Sequence, residues 1–436
     1  MAVRQLSVVV CAIVIVSASV IPLLPVGRGG SLKEPWLDEI DGVQVMHLIG
    51  TPYDMGFQQG TMLREEVLQD FRAILATAEK YGHTQAHLQQ AWSTARPYVP
   101  AAMLEEMQGL ADAVNLSLDD VAMIQMIPSL FHCSVFAAWG NATADGRLYY
   151  ARSFDFPLTI QDPESGRLAQ DNVVLIVREP TGGHASLSPS IAGLIGSTGG
   201  FNDQGIATAV LSCWSHDETT AGTPMSFRQQ TVLDQATTLA DALSILNANR
   251  TEGWNFIVSD STIPAGYAVE QTANTSYQGT WNDPVEATRP FWSIPMVVRR
   301  TNIFIAPQTE AMQRERYNPR LFPILSYLSG KSKLGWFIVP AYLPWRHYQA
   351  LSHALESQWG HMDLNSSIHI LRSVYNGTAD PLFHVFVALH LYCTIHQWVA
   401  CPQTGEIIIA FAQGKTNAWS QPIHHYTLQE LLEHIP

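Results

Sequence analysis

Apolar residues in the first third of the chain recur at three- and four-residue intervals. Thr51-Pro52-Tyr53-Asp54 places an N-cap residue, a proline suited to the first helical turn and a carboxylate three residues after the cap. A helix should open there. Leu63, Val67, Phe71, Ile74 and Ala78 then share one face, and Gly82 closes the run. A second helix reaches about Arg96, where Pro97 stops it. Pro100 opens a third with the stripe Leu104, Met107, Leu110 and Val114, and Ser117-Leu118-Asp119-Asp120 caps a fourth that ends near Pro128. The pattern therefore predicts a mostly helical segment over 31–132.

At Cys133 the period changes. Cys133 to Trp139 and Arg147 to Ser153 are rich in aromatic and branched residues, and Gly140-Asn141-Ala142-Thr143-Ala144-Asp145-Gly146 between them is turn-forming, so the stretch reads as a hairpin. With Trp139 opposite Arg147, antiparallel pairing puts Cys133 opposite Ser153 and brings Arg152 and Asp155 to the same sheet end. Strands are further expected at Val173 to Arg178, Ile191 to Ile195 and Ile206 to Leu211, then helices at Ser226 to Leu233 and Leu239 to Asn249. Strands return at Asn255 to Ser259 and Gly266 to Glu270. Helices follow near His347 to Gln358 and Ser367 to Val374, and strands at Thr394 to Ala400 and Glu406 to Ala412. Strands in runs and helices in runs argue for a layered α+β fold rather than alternating βαβ units.

Composition narrows the class. Of 436 residues, 47% are hydrophobic and 14% charged, enough apolar material for a large core, and no low-complexity run or internal repeat divides the chain. A formal net charge of −14 argues against nucleic acid or anionic lipid as partner and favours a small uncharged or cationic substrate. Arg4, the apolar stretch Leu6 to Val16 and the small residues Ser17, Ala18 and Ser19 read as an export signal. Apolar character continues to Val26, so residues 1–30 are either a cleaved signal peptide or a membrane anchor, and the protein is expected to be secreted or membrane-tethered. Sequons begin at Asn115, Asn141, Asn249, Asn274, Asn365 and Asn376. Outside the export segment only Cys133, Cys213, Cys393 and Cys401 remain, too few for a disulfide scaffold. His384, His390, His396, His424 and His425 match no ligand spacing, so neither a metal nor another cofactor is expected.

The most informative stretch is Cys133-Ser134-Val135-Phe136-Ala137-Ala138-Trp139-Gly140, continuing through Asp145-Gly146 to Ala151-Arg152-Ser153-Phe154-Asp155-Phe156. It resembles the acyl-coenzyme A:6-aminopenicillanic-acid acyltransferase-like family of N-terminal nucleophile hydrolases, and more distantly the choloylglycine hydrolases and acid ceramidases. In these a cysteine followed by a small residue opens a strand and an Arg-x-x-Asp motif ends the next. The likeness extends in order: Pro52 to Gly60 looks like the family's first pro-segment helix, Ala192 to Gly196 with Gly200 to Ile206 like its glycine–asparagine hairpin, and Asn255 to Asp260 with Val269-Glu270 like its next strand pair. The chain departs from the pattern at Arg300-Thr301-Asn302-Ile303, where many relatives carry Asn-His, and at His132, where the penicillin enzyme has glycine. The resemblance implies a four-layer αββα sandwich, with a helical pro-segment over 31–132 and a catalytic domain over 133–436, and self-cleavage between His132 and Cys133 into two chains that stay associated.

Elementary chemistry agrees with that scheme. An ordinary thiol titrates near pH 8.5 and a free α-amino group near 7.7 to 8.0, so a cysteine at a new N-terminus carries its own base. Acylation at sulfur followed by water gives hydrolysis of a linear amide; attack by an amine gives acyl transfer, with an acyl-amide substrate and acyl-coenzyme A or an amine as the second reactant. Arg152 and Asp155 read either as an ion pair at a strand end or as the groups that hold the thiolate and the new ammonium. Asn202 reads as a turn residue or a contact to the acyl carbonyl, and Asn255 as an oxyanion donor. Two alternatives stand beside this reading: a lipid amidase or phospholipase-like hydrolase on the same scaffold, and an uncleaved exported binding protein.

Overall fold

The computed structural model describes residues 33–126, 132–314, 343–389 and 393–436. Its first element is a hairpin. Trp36–Ile40 (β1) and Val43–Gly50 (β2) are joined by Asp41-Gly42, at φ 52° and 80°, the positive-φ pair that a tight hairpin turn requires and that Asp-Gly accommodates. The segment expected to be mostly helical thus begins with two strands that the helical pattern did not show. In β2, Val45, Met46, His47 and Leu48 are all buried, because both faces are covered, and a strand buried on both faces shows no alternation.

Helices follow as the caps predict. The Thr51–Asp54 capping box opens Pro52–Met62 (α1), and the run continues as Arg64–Lys80 (α2) after a break at Leu63. Gln85–Ala95 (α3), Ala101–Val114 (α4) and Leu118–Gln125 (α5) complete the group, the last opened by a Ser117–Asp120 capping box. α1 and α4 cross with almost no space between their backbones: a Cβ on Gly56 would lie 1.9 Å from the Glu106 carbonyl oxygen, and one on Gly109 2.1 Å from that of Tyr53. Only glycine fits at that crossing.

Two sheets form the centre. Val173–Pro180 (β5), Ser186–Ile191 (β6), Gly199–Asn202 (β7), Ile206–Ser212 (β8), Trp254–Asp260 (β9), Ala265–Gln271 (β10) and Ser276–Gly279 (β11) join the first hairpin in the order β1-β2-β5-β6-β7-β8-β9-β10-β11. The contact between β2 and β5 is parallel. The strand expected at Ile191 to Ile195 stops at Ile191, since Gly193 and Gly196 take φ 84° and 94° and turn the backbone out of the sheet. The second sheet runs Val297–Arg300 (β12), His132–Gly140 (β3), Gly146–Asp155 (β4), Thr394–Cys401 (β13), Glu406–Phe411 (β14) and His424–Thr427 (β15) in that spatial order.

The inner faces of the sheets pack on each other. Val45, Leu175, Leu187, Phe201, Ala209 and Ile257 from the larger meet Cys133, Val135, Leu148, Tyr150, Trp398 and Ile407 from the smaller. Tyr150 ties the two by donating its hydroxyl to the Ile257 carbonyl at 2.8 Å. On the outside, α1, α4 and α5 cover β2 and β5. Met225–Gln235 (α6) and Leu239–Asn247 (α7) cover β8 to β10. Beyond a single turn at Pro307–Glu310 (α8), Leu343–Ser357 (α9), Leu364–Tyr375 (α10) and Pro381–Ala388 (α11) cover the smaller sheet. The architecture is the four-layer αββα sandwich that the motifs implied, and β1 and β2 make the segment before residue 132 an integral part of it. Among the described residues no helix is long and apolar enough to cross a membrane. The export segment 1–30, Pro128 and His390 lie outside the described residues.

Candidate active site

Cys133 is the second residue of β3 and is fully buried, its side chain among those between the two sheets. The predicted hairpin forms, with one correction: Cys133 pairs with Phe154, not Ser153. At the loop the register is Gly140 with Gly146, as expected from the turn, but two steps along β3 match three along β4 before Ala138 meets Tyr149. The extra residue is a β-bulge, invisible to a register counted from the loop. His132 then lies opposite Asp155 and Val135 opposite Arg152.

Alternation along β4 separates the two motif residues. Arg152 shares the inner face with Leu148 and Tyr150, and its Nη2 lies 3.6 Å from Cys133 Sγ while Nη1 donates to the Thr198 carbonyl. That carbonyl also accepts from Gln229 Nε2 at 3.4 Å, and Gln229 accepts from Thr208 at 2.6 Å. A side chain at Gly199 would meet Arg152 Nη1 at 2.8 Å, so glycine there leaves the guanidinium its place. Asp155 faces the opposite way, toward the helices that cover the smaller sheet. Its carboxylate accepts from Ser153 Oγ at 3.0 Å, Thr394 Oγ1 at 3.0 Å and Tyr375 Oη at 2.6 Å.

These surroundings set the charges. Burial pushes the Cys133 thiol up to about 12, with the Arg152 guanidinium pulling the other way. Burial also raises Asp155 to about 7, against the opposing hydrogen bonds from Tyr375, Ser153 and Thr394. With the backbone intact the thiol is therefore protonated at neutral pH, and the carboxyl is poised to change charge there.

The peptide nitrogen of Cys133 donates to Asn302 Oδ1 at 2.8 Å, and Asn302 Nδ2 donates to the Ser212 carbonyl at 2.8 Å. The loop that follows β12 thus reaches the bond on the N-terminal side of the cysteine. Asn255 anchors that loop: its Nδ2 donates to the Thr301 and Ile303 carbonyls at 2.8 Å each and lies 3.1 Å from Cys213 Sγ. The amide expected as an oxyanion donor is committed to holding Asn302 in this state. Asn202 is also fully engaged. It donates to the Leu233 and Ala236 carbonyls at 3.0 and 2.9 Å and accepts from the Gln204 and Ile206 backbone at 3.2 and 3.0 Å. Those bonds make it a turn residue that ties β7 and β8 to the end of α6, and none reaches Cys133.

The arrangement brings together Cys133, Arg152 and, across the strand pair, Asp155. It adds Asn302, Tyr375 and, with Nε2 3.1 Å from the Tyr375 hydroxyl, His347, which motif reading did not select. Asn302 had one signal, its place in the segment Arg300 to Ile303 where the sequence departs from the family pattern; the other two had none, since they lie on helices more than 200 residues from Cys133. Among the described residues no three His, Cys, Asp or Glu side chains cluster as metal ligands, and the four cysteines there are free.

Comparisons with known proteins bear on the same span. A protein of Archaeoglobus fulgidus described as "Uncharacterized protein" is 28% identical over 262 residues, 50% of this chain and 42% of its own. Protein dcd1A of Dictyostelium discoideum is 25% identical over 240 residues, 48% of this chain and 54% of its own. The matches span about half the length of these relatives. Among solved structures, the Caenorhabditis elegans N-acylethanolamine-hydrolyzing acid amidase ortholog superposes on 68% of this chain and 99% of its own, at 13% identity and a TM-score of 0.40. Penicillin V acylase from Agrobacterium tumefaciens covers 68% and 87%, at 14% and 0.39. Scores this low carry no argument, and the layered fold rests on the sheets and helices described above. Over residues 144–313, which hold Arg152, Asp155, Asn202, Asn255 and Asn302, the chain matches the family described as acyl-coenzyme A:6-aminopenicillanic acid acyl-transferase, the family its motifs resemble.

Proposed function

We propose that this chain cuts its own backbone between His132 and Cys133 and then works as a hydrolase or acyltransferase of linear amide bonds, with Cys133 as N-terminal nucleophile. The observation that carries the reading is the convergence at one residue: the thiol faces a buried guanidinium at 3.6 Å while the peptide nitrogen of the same cysteine is held by Asn302. In the cleavage, Sγ bonds to the His132 carbonyl carbon, the peptide C–N bond breaks and the nitrogen takes up a proton. Water then splits the thioester, leaving a carboxylate on His132 and a free amine on Cys133. That amine supplies the base which the uncut site lacks, and Arg152 favours the thiolate. The substrate's acyl group passes to sulfur, its amine leaves with a proton, and water or a second amine releases the acyl group.

The partners follow from this chemistry: an acyl-amide small molecule or acyl-coenzyme A as acyl donor, water or an amine as acceptor, and the chain's own two halves. Residues 1–30 would carry the protein out of the cytoplasm, as a cleaved signal or a retained anchor. Cys133→Ala tests the proposal: one intact chain without amidase activity is expected on a denaturing gel. A mutant cut at residue 133 would contradict the reading.

A further inference from the structure

The Asp155 carboxylate is the end of a chain of buried polar groups that lies on the helix side of the smaller sheet. Tyr375, the last residue of α10, has its hydroxyl 2.6 Å from Asp155 Oδ2, 3.1 Å from His347 Nε2 on α9 and 3.4 Å from Ser134 Oγ. Asp155, Tyr375 and His347 are 2%, 0% and 0% exposed, so their direct contacts are shielded from bulk solvent. A phenol has one proton to give. When Asp155 is ionised that proton points to the carboxylate, and His347 Nε2 must be the donor toward the tyrosine oxygen. The hydrogen bonds then all run one way, from His347 to Tyr375 to Asp155.

We propose that Tyr375 and His347 are positioning residues for the nucleophile: their aligned hydrogen bonds hold Asp155 ionised, across the strand pair from the His132–Cys133 bond, ready for the ammonium that cleavage creates. The inference rests on the cleavage mechanism above. An ionised Asp155 favours the ammonium–thiolate pair of Cys133 over the amine–thiol pair, so its titration sets the acid side of thiolate formation. The groups that face it are few. On its own side lie Ser134 of β3, Ser153 of β4, Thr394 of β13, Tyr375 and, behind it, His347; Cys393 just ahead of β13 and, through the sheet, the Cys133 thiol and Arg152 act on its charge. Burial already places this carboxyl near neutrality, at about 7. The Tyr375 bond is the largest of the influences that lower it.

The test is the pH dependence of Cys133 alkylation by iodoacetamide in the processed protein, read by peptide mass spectrometry so that Cys213, Cys393 and Cys401 are scored apart. Tyr375→Phe removes one hydrogen bond to a charged group and should move the acid limb up by about one to two pH units, with the rate recovering as pH rises. His347→Phe should move it the same way by less, and His347→Gln, whose amide restores a donor, should bring it back toward wild type. A rate lowered equally at every pH, or an unmoved limb, overturns the proposal. If Tyr375→Phe does not accumulate as folded protein, the two His347 variants carry the same comparison. A wild-type chain found uncut, or a limb that Asp155→Asn leaves in place, would instead overturn the underlying mechanism, so the two failures are separable.

Discussion

Replacing Asn302 by alanine removes the acceptor that holds the peptide nitrogen of Cys133 and the donor that satisfies the Ser212 carbonyl, both at 2.8 Å and both buried. A buried partner left without its bond costs about 1 to 3 kcal/mol, so the fold should lose roughly 2 to 6 kcal/mol from the two together. The effect on self-cleavage is a separate quantity. As the C–N bond breaks, the nitrogen gains a proton and positive charge, and a hydrogen bond to a charged group stabilises by about 1 kcal/mol more than one to a neutral group. Only that difference counts toward the rate, which puts the slowing near fivefold. Pulse-labelled synthesis in a cell-free system, chased and resolved on denaturing gels, gives the rate directly, and a urea melt of a Cys133→Ala background gives the stability. Asn302→Asp keeps an oxygen that accepts from Cys133, so it should lose stability yet cleave faster than Asn302→Ala. Folded Asn302→Ala that cleaves at the wild-type rate would refute the assignment.

Other consequences are as direct. A guanidinium 3.6 Å from sulfur in a site of effective dielectric near 20 favours the thiolate by about 4 kcal/mol, about 3 pKa units, so Arg152→Met should raise the apparent pKa of Cys133 alkylation and cut the rate at pH 7 at least tenfold. An alkylation profile shifted by less than half a unit would contradict that. Gly56→Ala drives a methyl group into the Glu106 carbonyl and should lower the urea midpoint by an amount equivalent to about 1 to 3 kcal/mol; an unchanged midpoint would show that α1 and α4 can separate freely. After cleavage the two halves should elute together on size exclusion and part only in denaturant. The reason is that β2 pairs with β5 over six residues, and Arg178 of β5 holds Glu106 of α4 by two buried bonds of 2.6 and 2.8 Å.

The parts of this architecture that were legible in the sequence are those set by local rules. Capping residues place α1 and α5, the change of period at Cys133 marks the start of β3, and the glycine-bounded loop between β3 and β4 closes the hairpin that carries Cys133, Arg152 and Asp155. The failures have physical causes. The Asp41-Gly42 turn was a readable hairpin signal, but β2 is buried on both faces and shows no alternation. The bulge in β4, next to Gly146 at φ 80°, moved the partner of Cys133 by one residue, and a register counted from the turn passes over it. The rest of the site is tertiary: Asn302 meets Cys133 across 169 residues and Tyr375 meets Asp155 across 220, and nothing in local spacing encodes such contacts. Asn202 and Asn255 illustrate the converse, since motif position selected them while their amides are taken up by backbone carbonyls.

The central claim is that one backbone bond is broken and that its breaking makes the base. Intact-mass measurement of the purified wild-type protein, followed by N-terminal sequencing of each species, addresses it most directly. Two polypeptides are expected, one ending at His132 and one whose first residue is Cys133. A single unbroken polypeptide that turns over an amide substrate would contradict it.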